Sequence, residues 1–166
     1  MKNQVVNKLV LITGYLLLIV GITFITPSVK TVAGSIPAEG NTDLELVNEL
    51  RASKGLNTLN WNENLSSAAK LKAGDMVSNN YFEHTSPTGR NAWDFLLSSG
   101  YNYKFAGENL AIDLINVTDA QKAWENSPTH LINILSVDYS DFGLAEIEGN
   151  IGDRKTHIYV QLFGAK

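Results

Sequence analysis

The 166-residue sequence contains no cysteine. Disulfides, iron–sulfur clusters, thiolate catalysis and cysteine-based zinc sites are therefore excluded. Acidic residues are absent from the first 33 positions, which carry three lysines, whereas the remaining residues carry 10 basic and 17 acidic side chains, a net charge of −7. Because a surface of that charge repels phosphate groups, we expect no nucleic-acid partner, and membrane contact only through the N-terminal segment.

Long apolar runs are also absent, with one exception near the N-terminus. Residues 9–26 form an uncharged stretch of 18 residues that follows Lys8. This length exceeds the apolar part of an ordinary signal peptide, about 7–15 residues, and lies within the roughly 17–25 residues that span a bilayer. Small residues at 31–33 also suit a cleavage site. Residues 1–33 are therefore either an uncleaved signal anchor or a signal peptide, and both alternatives place the rest of the chain outside the cytoplasm.

The remaining chain predicts a linker over residues 34–41 and one domain over residues 42–166. Helical spacing of apolar residues and capping patterns dominate its first two thirds. Five helices are predicted, which run from Thr42 to about Gly55, from near Asn62, from Asn91 to Ser98, from Thr118 and from Ser127. In the helix that begins near Asn62, Lys72 is the only polar residue of the apolar stripe. The tail is rich in β-forming residues on both sides of residues 149–153, which predicts a β-hairpin and an α+β fold.

Few side chains suited to chemistry stand out. The three histidines are His84, His130 and His157, and none has a partner at metal-ligand spacing along the chain. Glu108 is a single acid in what we interpret as a glycine-flanked loop. Ser127 precedes His130 by three residues, a pattern that we interpret as a helix cap and not as a nucleophile and its base.

Three ordered segments nevertheless resemble a known family. They are residues 82–87 (FEHTSP), 107–111 (GENLA) and 124–135 (WENSPTHLINIL). Their order and composition resemble the motifs of the CAP superfamily (cysteine-rich secretory proteins, antigen 5 and pathogenesis-related proteins), most closely its bacterial SCP-like branch. The resemblance extends over about residues 44–163.

This resemblance implies a three-layer α-β-α sandwich with a central antiparallel sheet. It also implies a cleft that holds two histidines and acidic residues, where a divalent metal such as zinc can bind. His84, Glu108 and His130 match the family's cleft residues and are the implied metal ligands. Asn109 and Ser127 are further cleft residues, and Ser127 stands where many animal and plant members have a fourth, glutamate, member.

Two questions stay open from the sequence. His84, Glu108 and His130 either form a metal-competent cleft or a buried polar network that holds loops to the sheet. The domain is either a binding module for a small hydrophobic molecule, a peptide or a cell-surface protein, or a metal-dependent hydrolase of peptides or cell-envelope material. Because the fourth cleft position is a serine, we expect the non-catalytic binding module.

Overall fold

The computed structural model describes the backbone of residues 38–166 and the side chains of residues 42–166. Five helices and four strands occupy these residues. In chain order they are α1 (Ala38–Ser53), β1 (Asn60–Trp61), α2 (Glu63–Ser78), α3 (Ala92–Ser98), β2 (Phe105–Ile112), α4 (Val117–Glu125), α5 (Pro128–Leu135), β3 (Asp141–Ile151) and β4 (Arg154–Ala165). The predicted α+β class is confirmed.

The strands form one sheet in the order β1-β3-β4-β2. Strand β4 pairs antiparallel with both β3, as the predicted hairpin, and β2. The predicted antiparallel sheet is confirmed for β2, β3 and β4, whereas the two residues of β1 pair with β3 in parallel. The prediction of a loop around Glu108 is wrong, since this segment is strand β2 at the other edge. With few β-branched residues, the segment carries a weak strand signal.

Helices cover both faces of the sheet. On β4, Ile158, Val160 and Leu162 belong to a core shared with α2 and α3. The alternate residues Tyr159 and Phe163 belong to a second core shared with α1, α4 and α5. Because successive side chains of a strand point to opposite faces, these two cores give the three layers that the resemblance implied.

The helix starts follow local capping. The predicted helix starts near Asn62 and Asn91 are confirmed: the Asn62 side chain caps α2, and the Asn91 side chain caps α3 while the Asn91 amide donates to Asp94 Oδ2. Helix α1 begins at Ala38, four residues before the predicted start at Thr42. Helix α4 begins at Val117, one residue before the predicted start at Thr118, because the side chain of Asn116 accepts a hydrogen bond from the Asp119 amide and caps the helix.

The predicted leader, residues 1–33, lies outside the described residues, as does the predicted linker up to residue 37. Among residues 38–166, every helix is too short or too polar to cross a membrane.

A chain of polar side chains crosses the core that contains α1. Gln161 on β4 donates from Nε2 to Asp43 Oδ2 at 2.8 Å and to Gln121 Oε1 at 3.1 Å. Its Oε1 accepts from Asn109 Nδ2 at 2.9 Å. All four residues are buried. Such a chain fixes α1 and α4 to strands β2 and β4 because each broken link leaves a buried polar atom unpaired.

Asp43 makes the stability of this core depend on pH. Burial raises the pKa of Asp43 from 3.8 to about 7, the hydrogen bond from Gln161 opposes this change, and the nearby Glu125 adds to it. A carboxyl group with a raised pKa in the folded state favours folding in its protonated form. We therefore expect the free energy of unfolding to fall as the pH rises from about 4 to 7, by at most about 1.4 kcal/mol per pH unit from this group.

Asp43→Asn keeps the oxygen that Gln161 reaches but removes the titration. We expect the pH dependence of the unfolding free energy between pH 4 and 7 to become shallower, measured by denaturant unfolding at several pH values. The exposed Asp138→Asn is the matched control and should keep the wild-type slope. Equal slopes in Asp43→Asn and wild type would show that Asp43 is not the titrating group.

Candidate functional site

The predicted site lies along the free edge of β2, where the two helical layers meet. His84 belongs to the segment that follows α2, Glu108 lies on β2, and His130 lies in the first turn of α5. A cavity of about 360 Å³ opens here, lined by His84, Thr85, Asn91, Ala92, Trp93, Ala106, Gly107, Glu108 and Asn133. An adjoining hollow is lined by residues that include His84, Leu110 and His130. We refer to both together as the cleft.

His84 and Glu108 form the centre of the cleft. His84 Nδ1 lies 2.6 Å from Glu108 Oε2, and the side chain of Glu108 is only 4% exposed, against 64% for His84. The second carboxylate oxygen, Oε1, is buried and has no hydrogen-bond partner among the described residues. The structure therefore brings together two of the three predicted ligands and leaves one buried carboxylate oxygen without a partner.

Lys72 holds the segment that carries His84. Its Nζ donates to the backbone oxygens of Glu83 at 2.7 Å and His84 at 3.0 Å, and to the Tyr81 hydroxyl at 3.2 Å. Lys72 is fully buried, which lowers its pKa, while the charge of Glu108 opposes that change. The one polar residue in the apolar stripe of the predicted helix was the sequence signal for this role.

His130 makes a different contact. Its Nδ1 lies 2.8 Å from Ser127 Oγ, and the Ser127 side chain makes no capping hydrogen bond to the helix backbone. Ser127 therefore occupies the predicted N-cap position of α5, but its hydroxyl bonds to the His130 imidazole and not to a helix amide. The imidazole at the third helical position competes successfully for the hydroxyl, and Pro128 at the first position removes one amide that would otherwise need a partner.

Asn109 lies beneath the cleft on the opposite face of β2. Its Nδ2 donates to the backbone oxygen of His130 at 3.2 Å, and its Oδ1 accepts from Asn133 Nδ2 at 2.8 Å. Asn133 also donates to the backbone oxygen of Glu108 at 3.0 Å. Asn133 was not among the predicted site residues, although it lies three residues after His130 on the same helix face. These bonds join α5 to β2.

The glycine of the GENLA segment allows this close approach. A Cβ atom on Gly107 would lie 2.6 Å from the Tyr139 hydroxyl oxygen and 2.8 Å from Asn133 Oδ1. Real Cβ atoms do not tolerate such distances, so a larger residue would displace both side chains from β2. The glycine is therefore required by packing against α5 and the residues after it.

Burial and nearby charges shift the pKa values of the two cleft histidines in opposite directions. The hydrogen bond to Glu108 raises the pKa of His84. Burial lowers the pKa of His130, and the nearby charge of His84 lowers it further. His84 is therefore the more readily protonated of the two imidazoles.

The predicted zinc ligands fit a metal only in part. Glu108 Oε1 is the kind of unpaired oxygen that a cation would use. However, the near nitrogen of His84 is already hydrogen bonded to Glu108, and no group of three His, Asp or Glu side chains among residues 42–166 is arranged to hold an ion. The described arrangement does not fit a three-ligand metal centre. Zinc binding stays a prediction of the resemblance.

Comparisons with known proteins give the family. The model of the cysteine-rich secretory protein family, CAP, matches residues 44–163. The uncharacterised protein YkwD of Bacillus subtilis (strain 168) is 37% identical over 123 residues, which cover 74% of this chain and 48% of YkwD. The chain thus spans about half of that relative. It belongs to the CAP family, as the three segments predicted.

Solved structures agree on the fold. An extracellular protein containing an SCP domain from Bacillus anthracis gives a TM-score of 0.65 at 30% identity, covering 76% of this chain and 40% of that chain. An outer surface protein of Borrelia burgdorferi gives a TM-score of 0.67 at 23% identity, covering 80% of this chain and 96% of that chain. The latter likeness concerns the fold alone.

Replacing the carboxylate tests the central pair. In Glu108→Gln, we expect the pKa of His84 to fall, because the charged acceptor that favours the imidazolium is lost while burial remains. The titration of the His84 ring proton followed by NMR measures this directly. Glu83→Gln, which changes an exposed acid beside His84, is the matched control. A His84 pKa that is the same in Glu108→Gln and wild type would contradict the pairing.

Proposed function

We propose that the chain is an extracytoplasmic CAP-domain binding module whose ligand occupies the cleft beside His84 and Glu108. The observation that carries the proposal is that Glu108 lines this cavity and has a buried carboxylate oxygen, Oε1, without a hydrogen-bond partner among the described residues. A buried polar atom without a partner costs about 1–3 kcal/mol. A ligand that donates a hydrogen bond to this oxygen recovers part of that free energy, which favours occupancy.

The size and lining of the cavity support a small ligand or a short segment of a larger one. Its volume of about 360 Å³ lies in the range of small-molecule sites. Trp93 and Ala92 supply an apolar wall, while Glu108 and Asn91 supply polar groups. Small hydrophobic molecules, peptides and cell-surface proteins therefore remain ligand classes to be tested against each other.

The proposed location rests on the leader and on similar proteins. The apolar run at residues 9–26 is typical of an exported or anchored chain. The similar Bacillus anthracis protein is described as extracellular and the Borrelia protein as an outer surface protein.

A hydrolase has less support. Ser127 and His130 are in contact at 2.8 Å, but no acidic side chain among residues 42–166 hydrogen bonds to His130 to orient it as a base. The metal-dependent alternative lacks three converging ligands in the same residues.

A thermal-shift panel on the full-length chain tests the binding function. The probes are a medium-chain fatty acid, a short neutral peptide and a neutral oligosaccharide, each titrated to high excess. We expect at least one probe to raise the melting temperature, because a ligand selective for the folded state stabilises it. Glu108→Gln should reduce that shift.

The exposed Glu49→Gln on α1 is the matched control for a change of one carboxylate to an amide, and should respond as wild type does. A panel in which no class of probe shifts the melting temperature would contradict a binding function for the cleft. A shift that Glu108→Gln leaves intact would place the binding elsewhere on the domain.

A further inference from the structure

The outer edge of β2 forms the floor of the cleft, and its backbone groups alternate in direction. The Asp113 amide donates to the backbone oxygen of His157, its cross-strand partner, at 2.9 Å. In an antiparallel pair, residues two apart repeat this orientation, so Gly107, Asn109 and Ala111 direct their amides and carbonyls toward β4. The amides and carbonyls of Ala106, Glu108 and Leu110 therefore point away from the sheet.

Side chains already occupy the three outward carbonyls. Trp124 Nε1 donates to Leu110 O at 3.0 Å, and Asn133 Nδ2 donates to Glu108 O at 3.0 Å. The Tyr139 hydroxyl donates to Ala106 O at 3.1 Å. All three donors come from α4, α5 and the segment after them. This edge therefore offers few acceptors for a new partner.

The outward amides of β2, unlike its outward carbonyls, have no hydrogen-bond partner among the described residues. Since β2 has no neighbour on this side, no backbone or side-chain group among residues 42–166 accepts a hydrogen bond from the amides of Glu108 and Leu110. An extended peptide added to this edge would have to place its own amides beside the outward carbonyls, where the side chains of Trp124, Asn133 and Tyr139 already lie. The edge is thus unsuited to strand addition.

The side chains around the floor add one acceptor and one apolar surface. Glu108, which is 7% exposed, has a buried carboxylate oxygen, Oε1, that lacks a hydrogen-bond donor among the described residues. Trp93 and Ala106 line the same cavity. Open amides disfavour a cation, and the Glu108 carboxylate disfavours an anion. A neutral ligand can match the site with three groups. A hydrogen-bond acceptor would pair with the outward amides, a donor would pair with Glu108 Oε1, and an apolar face would pack against Trp93 and Ala106.

Building on the proposed function, we propose that the cleft binds a neutral saccharide that carries an acylamino group. The acyl oxygen accepts from the Glu108 amide, a hydroxyl or N–H of the sugar donates to Glu108 Oε1, and the C–H face of the ring lies against Trp93. The same chemistry occurs in a free oligosaccharide and in a cell-envelope glycan.

NMR of the ¹⁵N-labelled full-length chain, in a detergent without a sugar headgroup, tests this assignment. The probes are tri-N-acetylchitotriose, cellotriose as the matched sugar without acylamino groups, and acetyl-trialanine amide as the extended peptide. We expect chitotriose to move the amide resonances of Glu108 and Leu110 more than that of the inward Asn109. Its affinity should exceed that of cellotriose about tenfold or more, a ratio typical of one well-placed hydrogen-bonding group.

Variants and a polymer complete the design. Glu108→Gln should weaken chitotriose binding about tenfold, while the control Glu49→Gln should not change it. Cosedimentation with peptide-free cell-wall glycan, with and without competing chitotriose, distinguishes the polymer from the free sugar as the preferred source. If the protein sedimented with the glycan and chitotriose did not displace it, the polymer would bind outside the cleft. That result would contradict the cell-envelope glycan as the ligand of the cleft.

The outcomes separate this inference from the proposed function. Equal affinity for chitotriose and cellotriose would overturn the acylamino assignment. Peptide or fatty-acid binding that moves the cleft resonances while neither sugar does would overturn the saccharide and leave the binding function in place. Resonances that no probe moves would contradict both.

Discussion

The site depends on the side chains that hydrogen bond to the unpaired edge of strand β2. A sheet edge presents unpaired backbone groups, and buried ones are costly unless something pairs with them. Here Trp124, Asn133 and Tyr139 each donate one side-chain hydrogen bond to an outward carbonyl. Each such bond contributes about 0.5–1.5 kcal/mol net, and a lost donor would leave a carbonyl without its partner. The three bonds also attach the second helical layer to the strand that carries Glu108.

The two helical layers thereby contribute different parts of one cleft. The layer with α2 and α3 supplies His84, held by the buried Lys72 through backbone oxygens. The layer with α4 and α5 supplies His130 and Asn133. Gly107 permits their contact with β2, since any side chain there would collide with Asn133 and Tyr139. The spacing of the cleft is therefore set by rigid elements that pack from opposite faces of the sheet, and not by the loops alone.

Much of this architecture could be predicted from the sequence. The helix starts near Asn62 and Asn91 and the hairpin of β3 and β4 were predicted correctly, and the ordered motifs predicted the family. Strand β2 could not be predicted, because its alanines and glycine have weak strand preference and its pairing with β4 is non-local. The Ser127–His130 contact could not be predicted either, since a serine before a helical proline is ordinarily a cap.

The contacts of the central pair likewise needed the three-dimensional structure. The resemblance indicated that His84 and Glu108 share a cleft, but neither the resemblance nor the spacing indicated that Glu108 would be almost fully buried with one oxygen unpaired. Nor could the sequence distinguish amides that face β4 from those that face the cleft, because this depends on register.

Residue-resolved hydrogen exchange of the ligand-free, full-length chain tests the account most directly. The outward amides of Glu108 and Leu110 should exchange faster than the paired amides of Gly107, Asn109 and Ala111, by about tenfold or more, in strict alternation along β2. Uniform protection along the strand would contradict the account, because it would mean that the outward amides already have acceptors and that the floor of the cleft is not open to a ligand.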